Sequence, residues 1–195
     1  EAPADLCHRR GVGVCQPEAG LLRRTCVEQF DGGKPAGLVR DRLGEDCCVL
    51  LDCCPMLGVL SLSAIFAADR VLVPVSADYL AVKGAMQVER TLNALARVVG
   101  RRIERRFVIT RFDGRRKMSW DILETFRKRF GADLAESRIS ENVSIAESPF
   151  SDRDVFAHAP SSRGAADYAA LFEELEGAGF FGAVGAGRGA LAAVA

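Results

Sequence analysis

One carboxylate and one cluster of guanidinium groups are the side chains best placed to do chemistry. The carboxylate is Asp52. It closes an apolar run of strand length, Cys47-Cys48-Val49-Leu50-Leu51, and Cys53-Cys54-Pro55-Met56-Leu57-Gly58 follows, where proline and glycine break the chain. In an open α/β sheet, ligands sit at the C-terminal ends of strands. Asp52 is therefore a candidate for holding a metal-bound water. Aspartate also ends strands simply because it starts turns, and the stretch alone leaves both readings open. The cationic cluster runs from Arg97 to Arg129. Ten arginines and two lysines stand there against four carboxylates, a net of +8 in a chain whose overall formal charge is zero. Arg111, Arg115, Arg116 and Lys117 fall in a loop after a predicted strand. Arginine suits phosphate geometry, so this loop is a candidate for backbone contact with nucleic acid, sensitive to salt and blind to sequence. The alternative is a solvated basic face balanced by acid elsewhere.

Other chemistries find little support. His8 and His158 are isolated from any serine or cysteine partner at a recognisable spacing, which argues against a hydrolase triad. The seven cysteines are odd in number and include no Cys-x-x-Cys pair with a nearby histidine. No secretory signal precedes them, so they read as reduced, buried, small apolar residues. The phosphate-loop pattern Gly-x-x-x-x-Gly-Lys-Ser/Thr does not occur: Gly33-Lys34 is followed by Pro35, and Gly187 by Arg188-Gly189. The lysine and backbone amides that cradle β and γ phosphates are thus not recognisable. No run of about 18 apolar residues suggests a membrane span.

The elements that must position these residues alternate between strand and helix. A hydrophobic share of 49% with 27% charged residues is that of a soluble globular chain. Residues 11–15 predict a short strand, 18–30 and 36–44 two helices, and the run from Cys47 to Asp52 the Asp52 strand. Residues 61–68 predict a short apolar helix. The β-branched run 71–75 predicts a strand buried on both faces, with Pro74 where pairing stops. A long helix over 79–99 has the apolar stripe Leu80, Met86, Val88, Leu92, Leu95 and Val99, with Gly100 ending it. A strand over 106–110 leads into the basic loop. Ser119 is expected to cap a helix through Phe130, in which Trp120 is a packing residue. A short edge strand is expected at 132–135, a helical turn after Glu141-Asn142, and a last helix from Ser161-Ser162 to about Glu176. Residues 177–195 are mostly Gly and Ala and read as a low-complexity tail. Alternation of this kind implies βαβ units in an α/β fold, a mainly parallel sheet with flanking helices.

The order of these motifs resembles the ParA (Soj-type) family of partition ATPases, within the deviant-Walker group that includes MinD. Leu50-Leu51-Asp52-Cys53-Cys54-Pro55-Met56-Leu57-Gly58 is similar to the family's Walker B and switch segment, I-D-x-P-P-x-L-G. Ala67-Ala68-Asp69-Arg70-Val71-Leu72-Val73-Pro74-Val75 is similar to its A-A-D-x-V strand ending in P-V, and Ala81-Val82-Lys83-Gly84 to its A-L-x-G helix start. Thr110-Arg111-Phe112-Asp113-Gly114-Arg115 resembles T-x-F/Y-D-x-R. Ile139-Ser140-Glu141-Asn142-Val143-Ser144-Ile145-Ala146-Glu147 resembles I-P-x-N-V-x-I/L-x-E, and Ser162-Arg163-Gly164-Ala165 with Tyr168 resembles S-x-G-A-x-x-Y.

The resemblance implies a P-loop NTPase-like fold and an ATPase that uses ATP and Mg²⁺. It implies an ATP-bound homodimer that coats DNA non-specifically, with a ParB-type partner stimulating hydrolysis, in the cytoplasm and associated with the nucleoid. By motif position, Asp52 is the catalytic and metal-side carboxylate, acting through a Mg²⁺-bound water. Arg111, Ser140 and Asn142 would flank the nucleotide base. Arg115, with Arg116 and Lys117, would contact DNA. Cys54 and Ser140 replace family prolines. Ser144 stands where many members carry a second DNA-contacting arginine, so the DNA surface would rest on Arg115, Arg116, Lys117 and Arg138. The family's phosphate loop and the strand after it are missing, so residues 1–176 are expected to be the C-terminal portion of such an ATPase domain, with 177–195 a tail. The chain by itself is expected to be inactive, and marginal in stability because lost central strands leave apolar edges. The alternatives are a MinD-like division-site ATPase at the membrane, which should carry a basic amphipathic C-terminal helix, and a non-enzymatic remnant of the fold that binds DNA or a partner.

Overall fold

A computed structural model of the chain describes residues 12–15, 25–29, 48–53, 58–100, 102–181 and 189–194. These form strands β1 (Val12–Cys15), β2 (Thr25–Gln29), β3 (Cys48–Cys53), β4 (Arg70–Ser76), β5 (Glu104–Phe112), β6 (Leu134–Ser140) and β7 (Gly189–Val194). The helices are α1 (Val59–Ala67), α2 (Tyr79–Val99), α3 (Lys117–Phe130), α4 (Val143–Glu147), α5 (Val155–His158) and α6 (Arg163–Gly177). The fold is α/β, a mainly parallel sheet with flanking helices, as the alternating pattern implies. The chain divides into two compact units, and strands β4 and β5 and helix α2 contribute to both.

The first unit takes residues up to 72, 92–105 and from 179 onward. Its strand order is β1-β2-β3-β7-β4. β1 and β2 are antiparallel, and β2–β3, β3–β7 and β7–β4 are parallel. Asp52 is paired in register with Gln29 on one side and Ala193 on the other. Leu51, Ala64, Ile65, Ala68, Val71, Leu92 and Phe180 are fully or almost fully buried here. Two expectations are corrected in this unit. Residues 25–29, inside the helix expected over 18–30, are strand β2. Thr25, Cys26 and Val27 are β-branched or small, and pairing with β3 on one side and β1 on the other overrides a helical spacing. Residues 189–194, within the Gly/Ala stretch, are strand β7. Small side chains carry little helix or strand preference of their own, and two parallel neighbours supply the ladder. β3 therefore has partners along both edges, in place of the open apolar edge expected. The helix expected over 36–44 lies outside the described residues.

The second unit takes residues 73–91 and 106–178. Its strands follow the order β4-β5-β6, with β5 and β6 parallel. Asp78 accepts the Ala81 amide at 2.8 Å and so caps the start of α2. That amide, then the Ser76 hydroxyl, hold the Asp78 carboxyl below the usual carboxylate range. Val82, Ala85 and Val88 are the buried residues of α2 in this unit, whereas Leu80, expected in the stripe, is 77% exposed. Along β4, Val71, Val73 and Val75 are buried and Leu72, Pro74 and Ser76 half-buried, so only one face is fully covered. α3 buries Ile122, Leu123, Phe126 and Phe130 at helical spacing. Phe130 stacks on Phe107 of β5 with ring centroids 4.0 Å apart. Gly131, at φ +51°, ends the helix after Arg127, Lys128 and Arg129. The cap of α3 is Arg116 and not Ser119, which is buried inside the first turn. The strand expected at 132–135 is instead a 3₁₀ turn over Gly131–Asp133 followed by the longer β6. The helical turn expected after Asn142 and the helix expected from Ser161-Ser162 are α4 and α6, which Asn142 and Ser162 cap through side-chain acceptors.

Candidate functional site

In the first unit the candidate residue is Asp52, next to last in β3. The flanking Leu51 and Cys53 are buried while Asp52 is exposed, because successive side chains of a strand point to opposite faces. Among the described residues no hydrogen bond or ion pair engages its carboxylate. One exposed carboxylate at a strand end fits the task of accepting a hydrogen bond from a metal-bound water. It does not by itself complete a cation site, and among the described residues no cluster of three metal-ligating side chains is present. Bound Mg²⁺ would supply charge neutralisation at the phosphates. Cys53 is buried beside Asp52, its Sγ 3.6 Å from the Leu51 carbonyl, in keeping with a packing role.

In the second unit the ends of β5 and β6 bring Arg111, Ser140 and Asn142 together. Phe112 pairs with Ser140, and the Glu141 amide donates to the Phe112 carbonyl at 3.1 Å. Arg111 takes φ +51°, a conformation non-glycine residues rarely adopt. Its Nη2 lies 3.4 Å from Glu141 Oε1. Asn142 spends its side-chain oxygen on the Ser144 amide at 2.8 Å, which leaves its NH₂ donors for other partners. The Ser140 amide donates to Asp167 of α6 at 2.8 Å. Gly164, near the start of α6, permits a close approach: a Cβ there would lie 2.6 Å from Ile145 Cγ1. Two strand ends, a capping asparagine and a helix start thus form one polar rim.

The basic loop follows directly. Asp113 sits at its base, its side chain 12% exposed. It accepts the Arg115 amide and Nε, each at 3.0 Å, and Arg115 Nη2 at 3.2 Å. Arg116 Nε lies 3.3 Å from its other oxygen. These bonds, the Arg115 side chain first, hold the Asp113 carboxyl below the usual carboxylate range. The Arg115 side chain remains 91% exposed, and Lys117 begins α3 in solvent. Trp120 is half in solvent. Its Nε1 donates to the Gly114 carbonyl at 2.8 Å and its ring meets Phe112 edge-on at 5.1 Å. The indole therefore ties the loop down, a role its sequence position alone did not reveal. The other end of the charged segment is neutralised locally: Arg127 pairs with Glu136, Lys128 with Glu124 and Arg129 with Glu89. Arg111, Arg115, Arg116 and Lys117 form an exposed basic cluster in which, among the described residues, Asp113 and Glu141 are the acidic partners.

Comparison with known proteins bears on sequence and fold. A family model described as AAA domain matches residues 45–104. The chromosome-partitioning ATPase Soj of Thermus thermophilus is 35% identical over 134 residues, which cover 65% of this chain and 51% of that protein. The chromosome partitioning protein ParA of Myxococcus xanthus is 30% identical over 128 residues, 65% of this chain and 45% of that protein. The chain spans about half the length of the curated relatives it matches. Among solved structures, the cell division ATPase MinD of Pyrococcus furiosus superposes with a TM-score of 0.52 over 68% of this chain and 52% of its own, at 21% identity. That likeness concerns the fold; the Soj and ParA matches concern the sequence. The chain is thus similar in sequence to the Soj and ParA partition proteins and in fold to MinD.

Proposed function

We propose that this chain is the portion of a ParA-like DNA-partitioning ATPase that carries the magnesium-side carboxylate, the rim beside the nucleotide base and the DNA-contacting loop. In this reading Asp52 holds the water bound to Mg²⁺, and Arg111, Ser140 and Asn142 border the base of ATP. Arg115, Arg116 and Lys117 contact phosphates of DNA without regard to sequence. The complete protein would act as an ATP-bound homodimer on the nucleoid, with hydrolysis stimulated by a ParB-type partner. Residues 1–176 carry the ATPase-domain motifs, and strand β7 of the Gly/Ala stretch 177–195 joins the same sheet.

The observation that carries the reading is the basic loop. Its guanidinium groups are exposed, ordered by one half-buried carboxylate, and pinned by Trp120 beside the polar rim formed by β5 and β6. A merely solvated basic face needs no such ordering.

The test is DNA binding by the full protein with ATP, measured across a salt series. Arg115→Ala with Arg116→Ala is expected to weaken binding at least tenfold at moderate salt and to lower the salt slope by about two, one for each phosphate left without its arginine. Unchanged affinity and slope in the double variant would sink the assignment of this loop.

A further inference from the structure

Arg138 lies on β6, two residues before Ser140. Its guanidinium carbon sits 5.1 Å from the centroid of the Phe112 ring and 5.8 Å from that of Trp120. Both distances fall within the ~6 Å over which a ring face attracts a cation. The two rings meet nearly perpendicular, at 85°, so they form a corner and not a flat shelf. The arginine is half-buried. Among the described residues no carboxylate pairs with it. This sets it apart from Arg127, Lys128 and Arg129, each of which has an acidic partner. A guanidinium held near ring faces by its charge need not spend its N–H donors on them, and it carries five in a fixed fork. The indole that holds Arg138 also donates to Gly114 in the basic loop. One ring thus fixes the arginine and the loop together.

We propose that Arg138 is a phosphate-binding residue of the DNA surface, held ready by the Phe112–Trp120 corner. The ligand is a backbone phosphate of duplex DNA, taken by the free N–H edge while the face stays on the rings. Prior ordering of a long side chain lowers the entropy lost on binding, which an unstacked surface arginine would lose in full. This inference rests on the DNA-binding reading above and gives Arg138, already expected on that surface by the sequence resemblance, a defined ligand and a means of being held in place. Trp120 is the chain's single tryptophan, so its emission reports directly on the stack.

The experiment uses the full protein with ATP and a mixed-sequence 24-base-pair duplex. Arg138→Met keeps an apolar stem on the rings without charge, Arg138→Lys keeps the charge without the fork, and the Arg115→Ala, Arg116→Ala protein is the control. Arg138→Met is expected to weaken binding about fivefold near 0.1 M salt and to lower the salt slope by about one. Arg138→Lys is expected to keep the wild-type slope with a smaller loss of affinity. DNA is expected to change the Trp120 emission, read as the difference from a Trp120→Phe protein, and Arg138→Met to abolish that change while leaving the melting temperature near wild type. If Arg138→Met binds with wild-type affinity and slope while the Arg115, Arg116 variant is weakened, Arg138 is no phosphate ligand and the DNA reading stands. If its affinity falls only in step with a lowered melting temperature and an unchanged slope, the residue is structural and the inference fails. If the wild-type protein binds no duplex at all, the DNA reading fails and takes this inference with it.

Discussion

Asp113 and Trp120 are two side chains that organise a disproportionate amount of charge. One carboxylate accepts from two consecutive arginines and from a backbone amide, and one indole closes the loop from the other side. Like charges so close in sequence would otherwise spread apart. Trp120→Phe keeps the ring that meets Phe112 but removes the donor to Gly114. It is expected to cost about 1 kcal/mol or somewhat less in a chemical denaturation curve, since the bond is exposed. Amide exchange at Gly114–Lys117 is expected to quicken more than elsewhere. Exchange rates in that loop identical to wild type would show that the indole does not hold it. At Asp52 the residue scale supplies the local geometry: alternation along β3 exposes the carboxylate between two buried neighbours.

At the scale of elements, α6 holds β6 in place through its carboxylates. Glu174 accepts the Glu136 and Ser137 amides at 2.8 and 2.7 Å, and Asp167 accepts that of Ser140. β6 is last in its sheet, and these bonds cap amides that would otherwise offer an edge for another strand. Partial burial raises the Glu174 carboxyl, but the Ser137 hydroxyl and the two amides outweigh it and leave the group below the usual glutamate range. A depressed folded-state value means that the stabilisation is present in full above the unfolded-state value. It is lost as the pH falls through the folded-state value. Glu174→Gln is therefore expected to lose about 1 kcal/mol near neutral pH, after allowance for solvent screening, and to differ little from wild type in strong acid. A loss independent of pH would contradict the charge-based account. The packing of α6 on α4 gives a second test. Gly164→Ala would place a methyl group 2.6 Å from Ile145 Cγ1 and 2.8 Å from its Cδ1. Overpacking of this kind costs about 1–3 kcal/mol. Adding Ile145→Ala is expected to recover part of it, so the two changes should be clearly non-additive in a double-mutant cycle. Simple additivity would mean that the helices do not meet there.

At the scale of the whole molecule, the chain spans about half of its relatives and contains no Gly-x-x-x-x-Gly-Lys-Ser/Thr. A phosphoryl-transfer site needs both a metal-side carboxylate and a cradle for the phosphates. The 195-residue chain alone is accordingly expected to turn over no ATP in a phosphate-release assay. A protein that supplies the phosphate loop is expected to hydrolyse ATP and to lose at least about a hundredfold of that activity on Asp52→Ala, the scale of removing one electrostatic interaction from the transition state. Turnover by the chain alone that vanishes with Asp52→Ala would contradict this view.

The sequence alone determined the α/β alternation, the Asp52 strand, the helix starts near Asn142 and Ser162 and the family resemblance. Each rests on local chemistry: apolar runs, turn residues and short side chains that bond their own backbone. Residues Arg111, Ser140 and Asn142 were singled out by motif, and tertiary structure gathered them by pairing β5 with β6. Tertiary structure alone decided the rest. Residues 25–29 became a strand because they are paired on both sides. Residues 189–194, too poor in side chains to declare themselves, became β7 because β3 and β4 lie on either side of them. The corner of Phe112, Trp120 and Arg138 joins a strand end, a helix and a neighbouring strand, and no local spacing encodes such a meeting. Propensity and capping act within a few residues, whereas a ladder partner or a stacking ring comes from anywhere in the chain.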